Sequence, residues 1–334
     1  MKRFIIKTLF YFIPFICLYG GYKIINKYYI SGDLGELGQI PFGKNYYENL
    51  KRNHLTDNLV INTRIAFCEK FRPENVSKIF TIGDSFSQQK IAGYQNYLGH
   101  LLEDSIINIT KNGEHFETVI SLLNSGFIDS TICKVMVIEQ VDRYAIVMLN
   151  YIDFEKQYNL PDDDNQDEEN RDKDFDLYNF CSWIRLQFGY DSPVFRHNLK
   201  QDCFSHYFSR KLFHYIEDYN FKQTKAADIE KAKENLILLN KKFSEKGIKL
   251  ILLIAADKYD VYRPFMTDNS LPVDTTTDWL SNLPDVFVID TKSILQEMVR
   301  NGEKDVYMIN DTHWSYKASE AVAKKIFYDI KNKF

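Results

Sequence analysis

The sequence contains no CxxC pair and no HxH or HExxH pattern, and its seven histidines show no zinc-like pairing with cysteine. These absences argue against a structural or catalytic zinc site, and no metal and no cofactor are expected. A Walker A lysine motif and a Rossmann glycine triplet are also missing, which leaves nucleotide hydrolysis and hydride transfer unsupported. No internal repeat is visible. Five cysteines (Cys17, Cys68, Cys133, Cys181, Cys203) are too few for a dense disulfide framework. Cys181 and Cys203 could bridge in an oxidising space, but free thiols are the preferred reading. The formal net charge is -4, and such a chain is a poor match for a nucleic-acid partner.

What is present is core material. Apolar residues make up 45% of the 334, aromatics 15% and charged residues 26%. That balance excludes a disordered chain and a polytopic membrane protein, and the length suits one elaborated α/β domain with additions. The charge is uneven: residues 162–176 (DDDNQDEENRDKDFD) carry nine acids against two bases. A solvated loop is the simplest role for such a run.

Residues 1–30 read MKRFIIKTLFYFIPFICLYGGYKIINKYYI. At about 1.5 Å per residue the apolar stretch from Phe4 to Ile25 is long enough to cross a hydrocarbon core of about 30 Å if Lys7 snorkels. A signal peptide is the rival reading, but no small-x-small cleavage site follows. An uncleaved anchor is therefore expected, with Lys2, Arg3 and Lys7 biasing the N-terminus to the cytoplasm and the remainder outside the cell membrane. Gly32, Gly35, Gly38 and Gly43 give residues 31–45 the composition of a tether, which leaves 46–334 as the main domain.

Within that domain strands and helices alternate. Val76–Ile82 has the length and branching of a buried strand; Gly83-Asp84-Ser85-Phe86 ends it, and Ile91, Tyr94, Leu98, Leu101 and Leu102 recur at helical spacing. A short strand at 105–109, a helix at 116–127 and an apolar strand at 134–141 follow. From about 144 to 225 the pattern breaks into an acidic loop and aromatic-rich stretches, read as an inserted cap. Regularity returns with a helix through Ile229, Leu236 and Phe243, strands at 248–255 and 286–289, and a terminal helix capped by Ser315. This order implies a flavodoxin-like, doubly wound, mostly parallel sheet covered on both faces.

Two motifs carry chemistry. Ser85 lies at the carboxyl end of the first strong strand, where open α/β sheets place their ligands and where backbone N–H groups can meet an oxyanion. Asp311-Thr312-His313-Trp314 precedes the last helix. In an extended segment Asp311 and His313 point the same way, so the aspartate can orient the imidazole and leave its other nitrogen free for a serine. Arg143, at a strand end, could donate to an anion or form a salt bridge to Asp142, Glu139 or the acidic run; Lys258 and Tyr259, following the strand that ends at Ala255, are candidates for substrate or donor contact or belong to a surface loop with Tyr262 buried.

GDSF after the first strand, with an aspartate and histidine before the last helix, resembles the SGNH, or GDSL-like, hydrolase superfamily. The form DTHW is similar to the SGNH-like O-acetyltransferase domains of the alginate acetylation proteins AlgJ and AlgX and the related DHHW proteins, as are Ala256–Tyr262 (ADKYDVY) and Glu139–Arg143 (EQVDR). In this chain the serine precedes the Asp-x-His motif, as in ordinary SGNH enzymes, and no GxND block is found; Asn112-Gly113 falls where the oxyanion residues of the superfamily are expected. The resemblance implies Ser85, His313 and Asp311 as catalytic residues, with Asn112, Gly113, Arg143, Lys258, Tyr259 and Trp314 around them. It further implies O-acetyl transfer to a cell-surface or secreted polysaccharide through an acyl-serine, with acetyl groups supplied by a membrane acyltransferase partner. A glycan esterase and a non-catalytic polysaccharide-binding protein are the alternatives.

Overall fold

The computed structural model describes residues 2–43, 63–64, 78–87, 89, 92–104, 106–110, 115–157, 177–188, 192–283 and 285–333. The acidic run, Cys68, and the Asn112-Gly113 pair lie outside these residues. In chain order the elements are helices α1 (Lys2–Tyr29) and α2 (Asp33–Gly38), strands β1 (Thr63–Arg64) and β2 (Ile79–Gly83), helix α3 (Tyr94–Leu102), strand β3 (Ile107–Thr110), helix α4 (His115–Asn124), strand β4 (Val135–Val141), and helices α5 (Asp142–Asn150) and α6 (Leu177–Gln187). Then come strands β5 (Val194–Asn198) and β6 (Lys211–Tyr215), helix α7 (Ala226–Glu245), strand β7 (Lys249–Ala255), helix α8 (Lys258–Tyr262), strand β8 (Phe287–Asp290), and helices α9 (Thr291–Arg300) and α10 (Tyr316–Lys333).

Six strands form one parallel sheet in the order β1-β3-β2-β4-β7-β8. The central strand β4 is buried along its whole length, and its period-two alternation feeds two cores. Val135, Val137 and Val141 join α3, α9 and α10 on one face; Met136 and Ile138 join α4, α5 and α7 on the other. Strand β7 divides in the same way, with Ile251 and Leu253 facing the first core and Leu250 and Leu252 the second. The result is the expected three-layer α/β sheet. Chain order reverses direction at β2, with β3 on one side and β4 on the other, so the crevice beyond the carboxyl ends of β2 and β4 is the switch point where such sheets bind ligands.

The region read as an irregular cap is partly regular: α5 continues directly from β4, and β5 and β6 form an antiparallel hairpin outside the main sheet. Cys181 is exposed and Cys203 buried, and both are free thiols, so the considered bridge is absent. The residues read as a tether are also different from expectation. Helix α2 is docked on the main domain, its Leu34 fully buried and the N–H groups of Leu34 and Gly35 both donating to the carbonyl of Asn310 (3.1 and 3.3 Å). Gly32 makes this approach possible. Its φ is +77°, and a Cβ there would stand 2.2 Å from the Asn310 carbonyl oxygen.

Helix α1 is long and apolar enough to cross a membrane, and none of its most apolar 18-residue window is buried. Phe4, Phe10, Tyr11, Phe12, Phe15 and Ile16 are all exposed. Its carboxyl-terminal half behaves differently: Tyr22 is buried, its ring 5.3 Å from Phe180 and 5.5 Å from Trp183 of α6.

Candidate functional site

Strand β2 ends at Gly83, and Ser85–Ser87 form a tight 3-10 turn. A carboxylate network fixes this turn. The buried Glu139 of β4 accepts hydrogen bonds through Oε2 from the Asp84 N–H (3.0 Å) and the Ser87 hydroxyl (2.8 Å). Asp84 in turn accepts from the N–H groups of Phe86 (3.0 Å) and Val141 (2.9 Å). Only glycine fits at 83, since a Cβ would lie 2.4 Å from both Glu139 Oε2 and Ser87 Oγ. Burial, and then the charge of Asp84, push the Glu139 carboxyl well above the ordinary range. With the turn locked from below, the Ser85 side chain is left exposed at the surface.

The structure brings Ser85, His313 and Asp311 together. His313 Nε2 lies 2.7 Å from Ser85 Oγ, and His313 Nδ1 lies 2.5 Å from Asp311 Oδ1. Asp311 Oδ1 also accepts the His313 backbone N–H at 3.0 Å, which locks the dipeptide turn. Burial pushes the His313 imidazole down, but the hydrogen bond and charge of Asp311, then the charges of Asp33 and Asp84, outweigh it and hold His313 above its ordinary value. For Asp311, burial is likewise overcome by the His313 interaction and the carboxyl stays below the usual range. The pair is therefore polarised as an acceptor carboxylate behind a basic imidazole.

The other residues singled out from sequence take supporting positions. Lys258 is buried, and its Nζ donates to the carbonyl oxygens of Met308 (2.6 Å), Ile309 (3.0 Å) and Asp311 (3.0 Å). It clamps the loop that carries Asp311 and His313 and is closed to a substrate. Burial pushes its pKa down to about 7, yet three carbonyl partners require the three donors that only the ammonium supplies. Tyr259 is buried as well, donating to the Pro272 carbonyl at 2.5 Å and packed on His214 and Tyr219. Trp314 is fully buried, edge-on to Phe86 at 4.9 Å, so it shapes the floor beneath Ser85 instead of facing a ligand. Arg143 pairs with Asp257 and lies 3.6 Å from Asp218. Burial opposes its charge, but these two carboxylates hold the guanidinium above its ordinary value. That is a structural commitment to α8 and the segment after β6, in place of the anion-donor role expected.

Among the described residues, two groups bring acidic or histidine ligand atoms within 4.8 Å of one another: Asp33, Asp311 and His313, and Asp142, Asp260 and Asp274. In the first, both ring nitrogens of His313 are already engaged, by Asp311 and Ser85. The second is buried beside a cavity of about 230 Å³ that Asp142 and Lys292 line. There burial and mutual repulsion raise Asp142 to about 7 and Asp260 well above the carboxylate range, while the Lys292 ammonium supplies a counter-charge. Lys292 thus offsets part of the negative charge gathered there.

Sequence reading missed two contributors. Glu139 had a visible signal, an acid inside the otherwise apolar strand KVMVIEQV. Asp33 had none, because a glycine-flanked aspartate next to a long apolar helix reads as linker. Its Oδ1 accepts the Thr312 N–H at 2.7 Å, its Oδ2 accepts the Thr312 hydroxyl, and Oδ2 lies 3.8 Å from His313 Nδ1.

Residues 212–334 match the family described as SGNH hydrolase-like domain, acetyltransferase AlgX. Over this carboxyl-terminal part the chain is similar to an SGNH hydrolase-like domain of the AlgX type. The matched part includes β7, the Lys258 clamp and the Asp311-His313 motif, whereas Ser85 lies outside it. No curated protein matches the chain significantly. Among solved structures, protein YXIM of Bacillus subtilis aligns at 12% identity with a TM-score of 0.37, over 77% of this chain and 57% of that one. The chain therefore spans a little over half the length of that protein.

Proposed function

We propose that this protein is a membrane-anchored, extracytoplasmic O-acetyltransferase that moves acetyl groups onto a polysaccharide through an acyl-serine intermediate. The observation that carries the reading is the hydrogen-bonded chain from Ser85 through His313 to Asp311. In the first half-reaction His313 Nε2 takes the Ser85 proton as Oγ attacks the acetyl carbonyl. The tetrahedral oxyanion collapses, the donor's leaving group departs with the proton from His313, and acetyl-serine remains. In the second half an acceptor hydroxyl gives its proton to His313, attacks the ester carbonyl and leaves as the O-acetyl sugar, restoring Ser85. Asp311 keeps Nδ1 protonated and stabilises the imidazolium in both halves. The N–H groups of Asp84 and Phe86 are taken by carboxylates, so the Ser85 N–H is the donor of this turn assigned to the oxyanion.

The anchor reading rests on the exposed apolar surface of α1, and the matched family supports acyl transfer as the reaction class. The acetyl donor is assigned to a membrane acyltransferase partner. The exposure of Ser85 supports a second reading, in which water resolves the acetyl-serine and the protein is a glycan esterase.

Incubation of the protein with an activated acetyl ester, with and without oligosaccharide, separates the readings. Sugar-dependent turnover with an acetylated glycan product supports the transferase. Sugar-independent hydrolysis supports the esterase, and activity unchanged in Ser85→Ala removes both.

A further inference from the structure

His313 meets two carboxylates, and they come from opposite ends of the chain. Asp311 lies two residues away, while Asp33 is delivered by the first turn of α2, directly after the apolar helix. Thr312 sits between the two members of the motif, and Asp33 grips it by backbone N–H and hydroxyl together. The segment before Asp33 is fixed to the same loop. The Asn310 side chain donates to the Ser31 carbonyl (2.8 Å) and hydroxyl (3.1 Å), and the Asn310 carbonyl receives Leu34 and Gly35. Residues 310–312 are thus held both by Ser31–Gly35 and, through the Asp311 carbonyl, by Lys258.

We propose that Asp33 is a positioning residue for His313, and that the segment Ser31–Gly35 is part of the active site and not a spacer leading to it. The role has a steric half and an electrostatic half. The grip on Thr312 fixes the direction of the imidazole toward Ser85. Burial and then the charge of Asp311 push the Asp33 carboxyl up, and in its ionised form, 3.8 Å from Nδ1, it favours the imidazolium that forms when Ser85 gives up its proton. The charges around the ring are Asp311 on its own loop, Asp84 from the β2 turn and Asp33 from α2, with Lys258 acting on Asp33 and Asp311 from α8. Removing Asp33 leaves one anion in hydrogen-bond contact and removes the other near neighbour of Nδ1. The inference rests on the proposed use of His313 as the base.

The test uses the full chain in detergent or nanodiscs, with Asp33→Asn, which keeps the size and removes the charge, and Asp33→Ala, which removes both. The His313 ring is titrated by NMR in each, and acetyl release from an activated ester is measured alongside. In Asp33→Asn the imidazole should titrate about one pH unit lower than in the wild type, with the acid limb of acetyl release moving in the same direction. In Asp33→Ala the release rate should fall on the order of ten- to a hundredfold, with Asp33→Glu recovering part of it. An unshifted titration in Asp33→Asn overturns the proposal. If Asp33→Ala does not fold, Asp33→Asn still decides. Should the wild type show no Ser85-dependent release, the acyl-transfer reading fails, and the titration continues to decide the role of Asp33 on its own.

Discussion

The ammonium of Lys258 lies 3.0 Å from the carbonyl oxygen of Asp311, the residue whose side chain holds His313. One buried cation therefore sets the backbone from which the histidine is oriented. Lys258→Met keeps the length and apolar stem but leaves three carbonyls without their donors. A cost of about 1–3 kcal/mol is expected, concentrated in the loop at 308–313. Hydrogen exchange should show faster exchange there, and acetyl release should drop on the order of a hundredfold. Wild-type exchange in that loop would show that the clamp is incidental.

The pH profile follows from His313. Its imidazole is held above the ordinary value near 6.5 and must be neutral to accept the Ser85 proton. The active fraction therefore rises with pH through the raised value, and the acid limb of kcat/KM should lie above about 6.5. For stability the sign is opposite: the interaction with Asp311 is fully present below the unfolded-state value and is lost as pH rises through the folded one. A rate profile with its acid limb below the ordinary histidine range would contradict the assignment.

Glu139 gives a pair of variants with different outcomes. Its carboxyl is pushed well above the ordinary range and accepts from Asp84 and Ser87 through one oxygen, an acceptor that glutamine keeps, so Glu139→Gln should retain the fold and most activity. Glu139→Ala strands two donors beneath the nucleophile and should cost about 1–3 kcal/mol. A carboxyl whose folded pKa is raised loses stability as pH climbs above its unfolded value. The wild type should therefore lose ground to Glu139→Gln between acidic and mildly alkaline pH in thermal melts, and parallel curves would refute the upward shift of Glu139.

Gly83→Ala should be more damaging than its size suggests. The added methyl would stand 2.4 Å from Glu139 Oε2 and Ser87 Oγ, both held within the buried network. The expected result is a lower melting temperature with loss of Ser85 labelling by a fluorophosphonate. Full labelling would mean that the turn relaxes more easily than its contacts imply.

Much of this arrangement can be read from the residues. Strands β2, β4 and β7 are apolar runs bounded by turn residues, and a doubly wound sheet brings their carboxyl ends into one crevice, so Ser85 and the Asp311-His313 motif converge. Ser315 also takes the place expected of it, accepting the Lys317 N–H at 3.2 Å ahead of α10. Burial was harder to see. Lys258, Tyr259 and Trp314 are types often found at ligand surfaces, and only three-dimensional packing shows that all three are enclosed. Arg143 looked available until Asp257 and Asp218, remote in sequence, were seen to flank it. Helix α9 escaped notice although Asp290 caps it and Leu295 and Val299 form its buried stripe, because its apolar positions are few. Asp33 was invisible for the opposite reason: its neighbours are small and flexible, and its importance depends wholly on contacts with residues at the other end of the chain.

The docking of α2 also sets a distance. Ile30, Ser31 and Gly32 are all that separate the end of α1 from Asp33, and the helix above Tyr22 is already packed against α6. At about 1.5 Å per helical residue and up to about 3.5 Å per extended one, Asp33 stands within roughly 25 Å of Tyr22. On the anchored reading the loop that carries His313 is held on a short leash from the apolar helix.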